Sequence, residues 1–187
     1  GFTLPSALLL IALALGLSHT GAQAGAWLGV LHGLKLVAVA ATGVNQIDLD
    51  AARAHGVAVC NVRNYGADAV AEHALMLMLA LSRNLFAYRR AVLEGGWQQS
   101  AQFCLHAAPM KDLSARTLAV CGGGAIGEAL AAKAAALGMR LMRVERKGAA
   151  QVRAGYTRFE TALAEADVLS LHLPLNNDTR GLIGAAE

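Results

Sequence analysis

From residue 36 onward, short apolar runs alternate with stretches of helical period, and small-residue turns separate them. Leu36–Ala40, Val57–Val62, Thr117–Cys121, Arg140–Val144 and Asp167–His172 read as buried strands. Leu49–Ala54 reads as a short helix capped by Asp48 and closed by His55-Gly56, and Glu128–Leu137 as an Ala-rich helix with Gly138 as its C-cap. Phe159–Ala166 supplies a third helix. Strand, helix and strand in repeated succession imply a parallel sheet with helices on its faces. Asp68–Leu93 reads as one long helix, with Asp68 as its cap, Glu72 in its first turn and Gly95-Gly96 as its stop. Val70–Leu81 is apolar almost all round, so this helix is expected to be buried on more than one side, against a second domain or a second subunit. His73 near its start is expected to be packed or capping. Trp97–Leu113 has no clear period and is expected to be an extended loop lying on another surface, and Gly148–Tyr156 a connection.

Composition narrows the class. Of 187 residues, 56% are hydrophobic and 16% charged, with a net charge of +3, so a well-covered core is expected and a charged scaffold is not. The basic residues are scattered, with no stripe interleaved with aromatics, which argues against a nucleic-acid partner. Cys60, Cys104 and Cys121 are odd in number and far apart. They read as buried free thiols of a reducing compartment, not as a disulfide frame or a metal site, and a cytoplasmic location is expected. Ser6–Leu17 is apolar but shorter than the roughly 20 residues of a membrane span. With Ala22-Gln23-Ala24 behind it, the run has the look of a signal-peptide core and cleavage site, yet no starting Met or basic region precedes it. Residues 1–34 are therefore expected to be a helix packed on the domain, or the part of the chain where the true beginning is missing.

The chemistry concentrates between Thr117 and Arg146. The glycines of G-x-G-x-x-G fall at Gly122, Gly124 and Gly127, between an apolar strand and a helix, and Glu145 follows the next strand 18 positions after Gly127. This is the order and spacing of a dinucleotide site. Gly122 allows a tight turn, Gly124 lets a pyrophosphate approach the backbone, and Gly127 lets the helix pack close to the sheet. The helix start offers unpaired N–H groups and a partial positive charge to a phosphate. Glu145 can accept hydrogen bonds from both ribose hydroxyls of NAD, whereas a 2′-phosphate would meet a like charge. Arg143, Arg146 and Lys147 are cations that can hold such a phosphate, so NAD is expected over NADP with Arg146 as the competing group. Gly123 makes three glycines in a row, which is expected to loosen the turn. The Thr42-Gly43 turn at the carboxyl end of the first strand offers N–H groups to a small anion, although spacing alone favours an ordinary βα loop. His172 can orient the loop after the last strand, and Pro174 there can offer a flat apolar surface to a ring.

Several stretches together resemble the D-isomer-specific 2-hydroxyacid dehydrogenases. Ala41-Thr42-Gly43-Val44-Asn45-Gln46-Ile47-Asp48 resembles that family's substrate-domain loop, and Val70-Ala71-Glu72-His73 the start of its interdomain helix. Gly122 to Gly127, His172-Leu173-Pro174-Leu175 and Thr179-Arg180-Gly181-Leu182-Ile183 are similar to its nucleotide domain. Trp97-Gln98-Gln99-Ser100 with Gln102-Phe103-Cys104 resembles the glycerate dehydrogenase, or hydroxypyruvate reductase, branch. The resemblance implies a Rossmann-type, doubly wound parallel sheet, incomplete here, with a partial flavodoxin-like substrate domain. The corresponding divisions are residues 1–67, 68–93 and 94–187 for the partial substrate domain, the interdomain helix and the NAD-binding domain. It implies that Thr42 and Gly43 hold the substrate carboxylate near the nicotinamide, with Thr42 also on the cofactor. Ala125 and Ile126 then present N–H groups to the pyrophosphate, Glu145 holds the ribose, and Leu173 and Pro174 line the adenine side. It implies a homodimer and a small 2-hydroxy or 2-oxo acid substrate. The family's Arg, Glu and His of hydride transfer lie in segments that follow the Leu-Ile-Gly stretch, beyond Glu187. The chain is therefore expected to be a fragment that carries the binding half and is inactive alone, with no catalytic residue of its own. Two other readings stay open: a non-catalytic dinucleotide-binding or interaction protein on the same scaffold, and an exported or membrane-associated protein resting on residues 6–24.

Overall fold

The computed structural model describes residues 33–185 and 187, so the expectations for residues 1–32 lie outside the described residues. Two compact units emerge. In the first, which takes the described residues up to Tyr65 together with Pro174–Asn177, strands β1 (Leu36–Val39) and β2 (Ala58–Asn61) pair in parallel. Helix α1 (Leu49–Ala54) connects them, and the Asp48 carboxylate caps it by accepting from the N–H groups of Asp50 at 3.1 Å and Ala51 at 2.9 Å. Ala52 and Val57 form a small core under the strands.

The second unit takes Gly66–Leu173 and Asp178–Glu187. Its sheet is parallel throughout, in the order β5 (Tyr156–Thr157), β4 (Arg140–Val144), β3 (Thr117–Cys121), β6 (Val168–Leu171). Every residue of β3 is buried, as a strand covered on both faces must be. The period of two sends its side chains to two different cores. Leu118 and Val120 meet Ala71 and Met78 of helix α2 (Ala67–Ser82), and Leu130, Ala131 and Ala134 of helix α5 (Ala125–Ala136). Ala119 and Cys121 meet Met142, Val144, and Phe159 and Ala162 of helix α6 (Phe159–Glu165). This is the doubly wound arrangement. At the amino ends of the strands, Asp167 accepts from the Thr117 N–H at 2.9 Å and pairs with Arg116, which ties β6 to β3.

Several expectations need correction. The stretch expected as one helix is two, α2 and α3 (Leu85–Leu93), broken at Arg83–Asn84. Asn84 takes a left-handed conformation (φ 50°), which Asn tolerates better than most residues, and its amide donates to the Pro109 carbonyl. The first turn of α2 begins at Gly66, so Asp68 is not the cap; it pairs with Lys133 of α5 at 2.9 Å. Among the described residues of α2, Ala71 and Met78 are buried and Ala74 and Leu75 partly so, while Met76, Leu77, Leu79 and Leu81 are exposed; His73, expected to be packed or capping, is exposed too. The segment expected as an extended loop begins with a short helix, α4 (Gly96–Gln99), and its end is held on α2 and α3 by Tyr88 Oη to the Ala108 carbonyl at 2.9 Å and Lys111 N–H to the Ser82 carbonyl at 2.9 Å. Cys60 is exposed, on a sheet that has two strands among the described residues, whereas Cys121 is buried. Among the described residues, no helix is long and apolar enough to cross a membrane.

Candidate functional site

In the second sheet the chain runs from β3 to β4 on one side and returns to β6 on the other. The carboxyl ends of β3 and β6 thus flank a topological switch point, where ligands of open parallel sheets bind. Gly122, Gly124, Ala125, Ile126 and Gly127 follow β3 there, Glu145 and Arg146 follow β4, and His172 and Leu173 follow β6.

The glycines differ in what demands them. Gly122 has φ +105°, and a Cβ on it would collide with the His172 carbonyl oxygen. A Cβ on Gly127 would collide with the Gly122 carbonyl oxygen. Both are requirements of the fold itself. Gly124 is extended (φ −81°, ψ 180°), and a Cβ there would meet nothing within 4 Å. The chain's own atoms do not explain its missing side chain. Gly123, expected to loosen the turn, instead gives place to a neighbour, since a Cβ would stand 3.1 Å from the Tyr156 hydroxyl.

Helix α5 starts at Ala125, with Gly124 as its N-cap and no side chain capping it. Its start lies three residues before the expected one, because the turn itself supplies the first helical residues. The N–H groups of Ala125 and Ile126 therefore belong to the first, unpaired turn, on an exposed edge. Glu128 in that turn pairs with Arg143 of β4 at 2.7 Å, and this partner holds its carboxyl below the usual carboxylate range.

Glu145 is buried and fully engaged. One carboxylate oxygen accepts from the Arg146 N–H at 2.9 Å and Arg153 Nη2 at 3.0 Å; the other accepts from Arg153 Nε at 2.7 Å and the Arg153 N–H at 3.2 Å. The Arg153 side chain first, then the Arg146 N–H, pull its pKa from 4.5 to about 2. Arg153 in turn lies over the Tyr156 ring, 3.8 Å from its centroid. Neither Arg153 nor Tyr156 stood out in the sequence. Their roles depend on residues 146–153 folding back onto β4, and no local spacing signals that.

His172 is half-buried, and burial lowers its pKa, favouring the neutral ring. The ring Nε2 lies 2.9 Å from Ser170 Oγ, and the backbone N–H of His172 donates to the Cys121 carbonyl at 2.8 Å. This pins the strand end that carries the carbonyl beside Gly122. Leu173 is exposed. In the first unit, Thr42 and Gly43 form an exposed turn after β1, and Asn61 of β2 holds it by donating to the Thr42 carbonyl at 2.7 Å. Pro174 is exposed and belongs to this unit. Asn61 also escaped notice in the sequence.

A parallel sheet with a glycine turn, a free helix start and a carboxylate after the next strand defines a dinucleotide-binding α/β domain. The family model of the D-isomer-specific 2-hydroxyacid dehydrogenase NAD-binding domain matches residues 75–187, more than half of the chain. The chain belongs to the D-isomer-specific 2-hydroxyacid dehydrogenase family and carries its NAD-binding domain. It is 41% identical over 157 residues to the glycerate dehydrogenase of Methylorubrum extorquens, covering 84% of this chain and 49% of that protein. Among solved structures it is similar to a glyoxylate reductase from Paecilomyes thermophila (TM-score 0.70, 28% identity, 85% of this chain and 48% of that one). The D-lactate dehydrogenase of Aquifex aeolicus, complexed with NAD and lactic acid, gives a TM-score of 0.67 at 27% identity, over 81% of this chain and 45% of that one. The chain spans about half the length of the curated relatives it matches.

Proposed function

We propose that this chain is the cofactor-binding half of an NAD-dependent oxidoreductase acting on the CH–OH group of a small D-2-hydroxy acid of the glycerate or hydroxypyruvate type. The observation that carries the reading is Gly124, a glycine that the fold does not need, placed at a free helix start on the switch point. Ala125 and Ile126 would donate N–H groups to the pyrophosphate, and Gly122 and Gly127 would shape the turn around it. Glu145 and Arg146 stand at the ribose, and His172, Leu173 and Pro174 at the adenine. Bound NAD would supply the hydride acceptor. Thr42 and Gly43, in a turn fixed by Asn61, would receive the substrate carboxylate through backbone N–H groups. The substrate class rests on the named relatives. The division into a partial substrate domain (1–67), an interdomain segment (68–93) and a nucleotide domain (94–187) is kept in this reading. A cytoplasmic homodimer completes the reading; the exposed apolar side chains of α2 and α3 support the dimer.

The test is calorimetric titration of the chain with NAD, before and after Gly124→Val. A Cβ at Gly124 meets nothing within 4 Å and valine suits the extended backbone there, so the melting temperature should stay within a few degrees. Affinity should fall by about tenfold or more, because the branched side chain takes the space of a phosphate. Unchanged NAD affinity in a folded Gly124→Val chain contradicts the assignment.

A further inference from the structure

An acid at the end of the second strand usually governs the ribose by offering free carboxylate oxygens. Here it offers none. A carboxylate has about four lone-pair sites, and Glu145 receives four N–H donors from Arg146 and Arg153 within the chain. Its side chain is only 5% exposed, while that of Arg153 is 59% exposed. What faces an arriving nucleotide at this corner is therefore the guanidinium.

That guanidinium is held in place. It rests on the Tyr156 ring at 3.8 Å, and the Tyr156 hydroxyl stands against Gly123 of the phosphate turn. The Glu145 pair uses two of the five N–H donors of a guanidinium, Nε and one on Nη2. The exposed Arg146 follows Glu145 directly, and Arg143 of β4 is paired with Glu128 beside the same turn.

We propose that Arg153 is a specificity-determining residue of the cofactor site: paired with Glu145 and seated on Tyr156, it neutralises the acid at the ribose corner and presents a cation there. The site then tolerates a 2′-phosphate far better than a bare Glu145 would. A diol must displace Arg153 to reach the carboxylate oxygens, whereas a phosphate can accept from Arg153 without breaking the pair. NAD remains a ligand; what changes is the group that sets the margin between NAD and its 2′-phosphorylated form. The inference rests on the nucleotide site proposed above.

The test uses ligands that carry only the adenosine half. The full chain and its Arg153→Met, Arg153→Lys and Glu145→Gln variants are titrated with ADP-ribose and with 2′-phospho-ADP-ribose by calorimetry. The quantity read is the ratio of the two affinities, which loss of fold or of overall affinity alone does not move. Arg153→Met frees Glu145 and removes the cation, so the ratio should shift toward ADP-ribose by about tenfold or more. Arg153→Lys keeps a cation and should lie between Arg153→Met and the original chain. Glu145→Gln releases Arg153 and should shift the ratio toward the phosphorylated ligand. A ratio that stays within about twofold in Arg153→Met, with both ligands still bound, overturns the role of Arg153 and leaves the nucleotide site standing. If the original chain binds neither ligand, the nucleotide site itself falls, and this inference with it.

Discussion

Glu145 shows how one residue can be read correctly in place and differently in partnership. Its position after β4 follows from the spacing of the glycine motif, but its four N–H donors follow from a loop that returns to the strand end. The partnership has a pH signature. The Glu145 carboxyl falls from 4.5 to about 2 in the folded chain, chiefly through the Arg153 side chain and then the Arg146 N–H. A carboxyl whose folded pKa is depressed contributes stability that is fully present above 4.5 and lost as pH falls toward about 2. Arg153→Met removes the main cause of the shift. The stability gap between the original chain and Arg153→Met should thus be constant above 4.5 and close below it, as urea melts across pH would record. A gap that persists unchanged at the acid end contradicts the pair. At Cys121 the shift runs the other way, since burial pushes the thiol up to about 11, as for a structural side chain of the core.

Elements built from local signals were legible in the sequence. Thr117–Cys121 and Arg140–Val144 appear as strands with the bounds expected, because each is an apolar run closed by a turn or a charge. Helix α1 was likewise legible from Asp48, whose carboxylate caps it. The break between α2 and α3 was not. No Pro or Gly marks it, and the left-handed Asn84 is stabilised by the Pro109 carbonyl, a partner 25 residues away. An apolar sequence sets what a helix could bury: within this chain Ala71 and Met78 of α2 are buried and Ala74 and Leu75 pack partly buried beside them, while its other large apolar side chains stay exposed. Helix α5 is the element that joins sheet and site, and Leu130 is its fully buried anchor against Leu118 and Val120. Leu130→Ala should cost about 2–5 kcal/mol, through lost burial and the cavity left behind. Chemical denaturation checks it; a cost below about 1 kcal/mol would mean that α5 is not seated as described.

At the scale of the molecule, each unit brings its own half of the proposed chemistry: an anion-holding turn in one, a nucleotide turn in the other. The exposed apolar side chains of α2 and α3, Leu81, Phe86 and Leu93 among them, are what the proposed dimer would cover. The protein is expected to sediment as a dimer, and Leu81→Glu with Phe86→Glu to sediment as a monomer; a monomer before substitution removes the dimer from the account. The central claim is that the turn from Gly122 to Gly127 receives a dinucleotide phosphate through the start of α5. Amide-resolved NMR during titration with NAD tests it most directly. The account predicts the largest shifts at the N–H groups of Gly124, Ala125 and Ile126, with a second set from Glu145 to Arg153. Saturating NAD that leaves those amides unmoved, or moves only residues elsewhere, would contradict it.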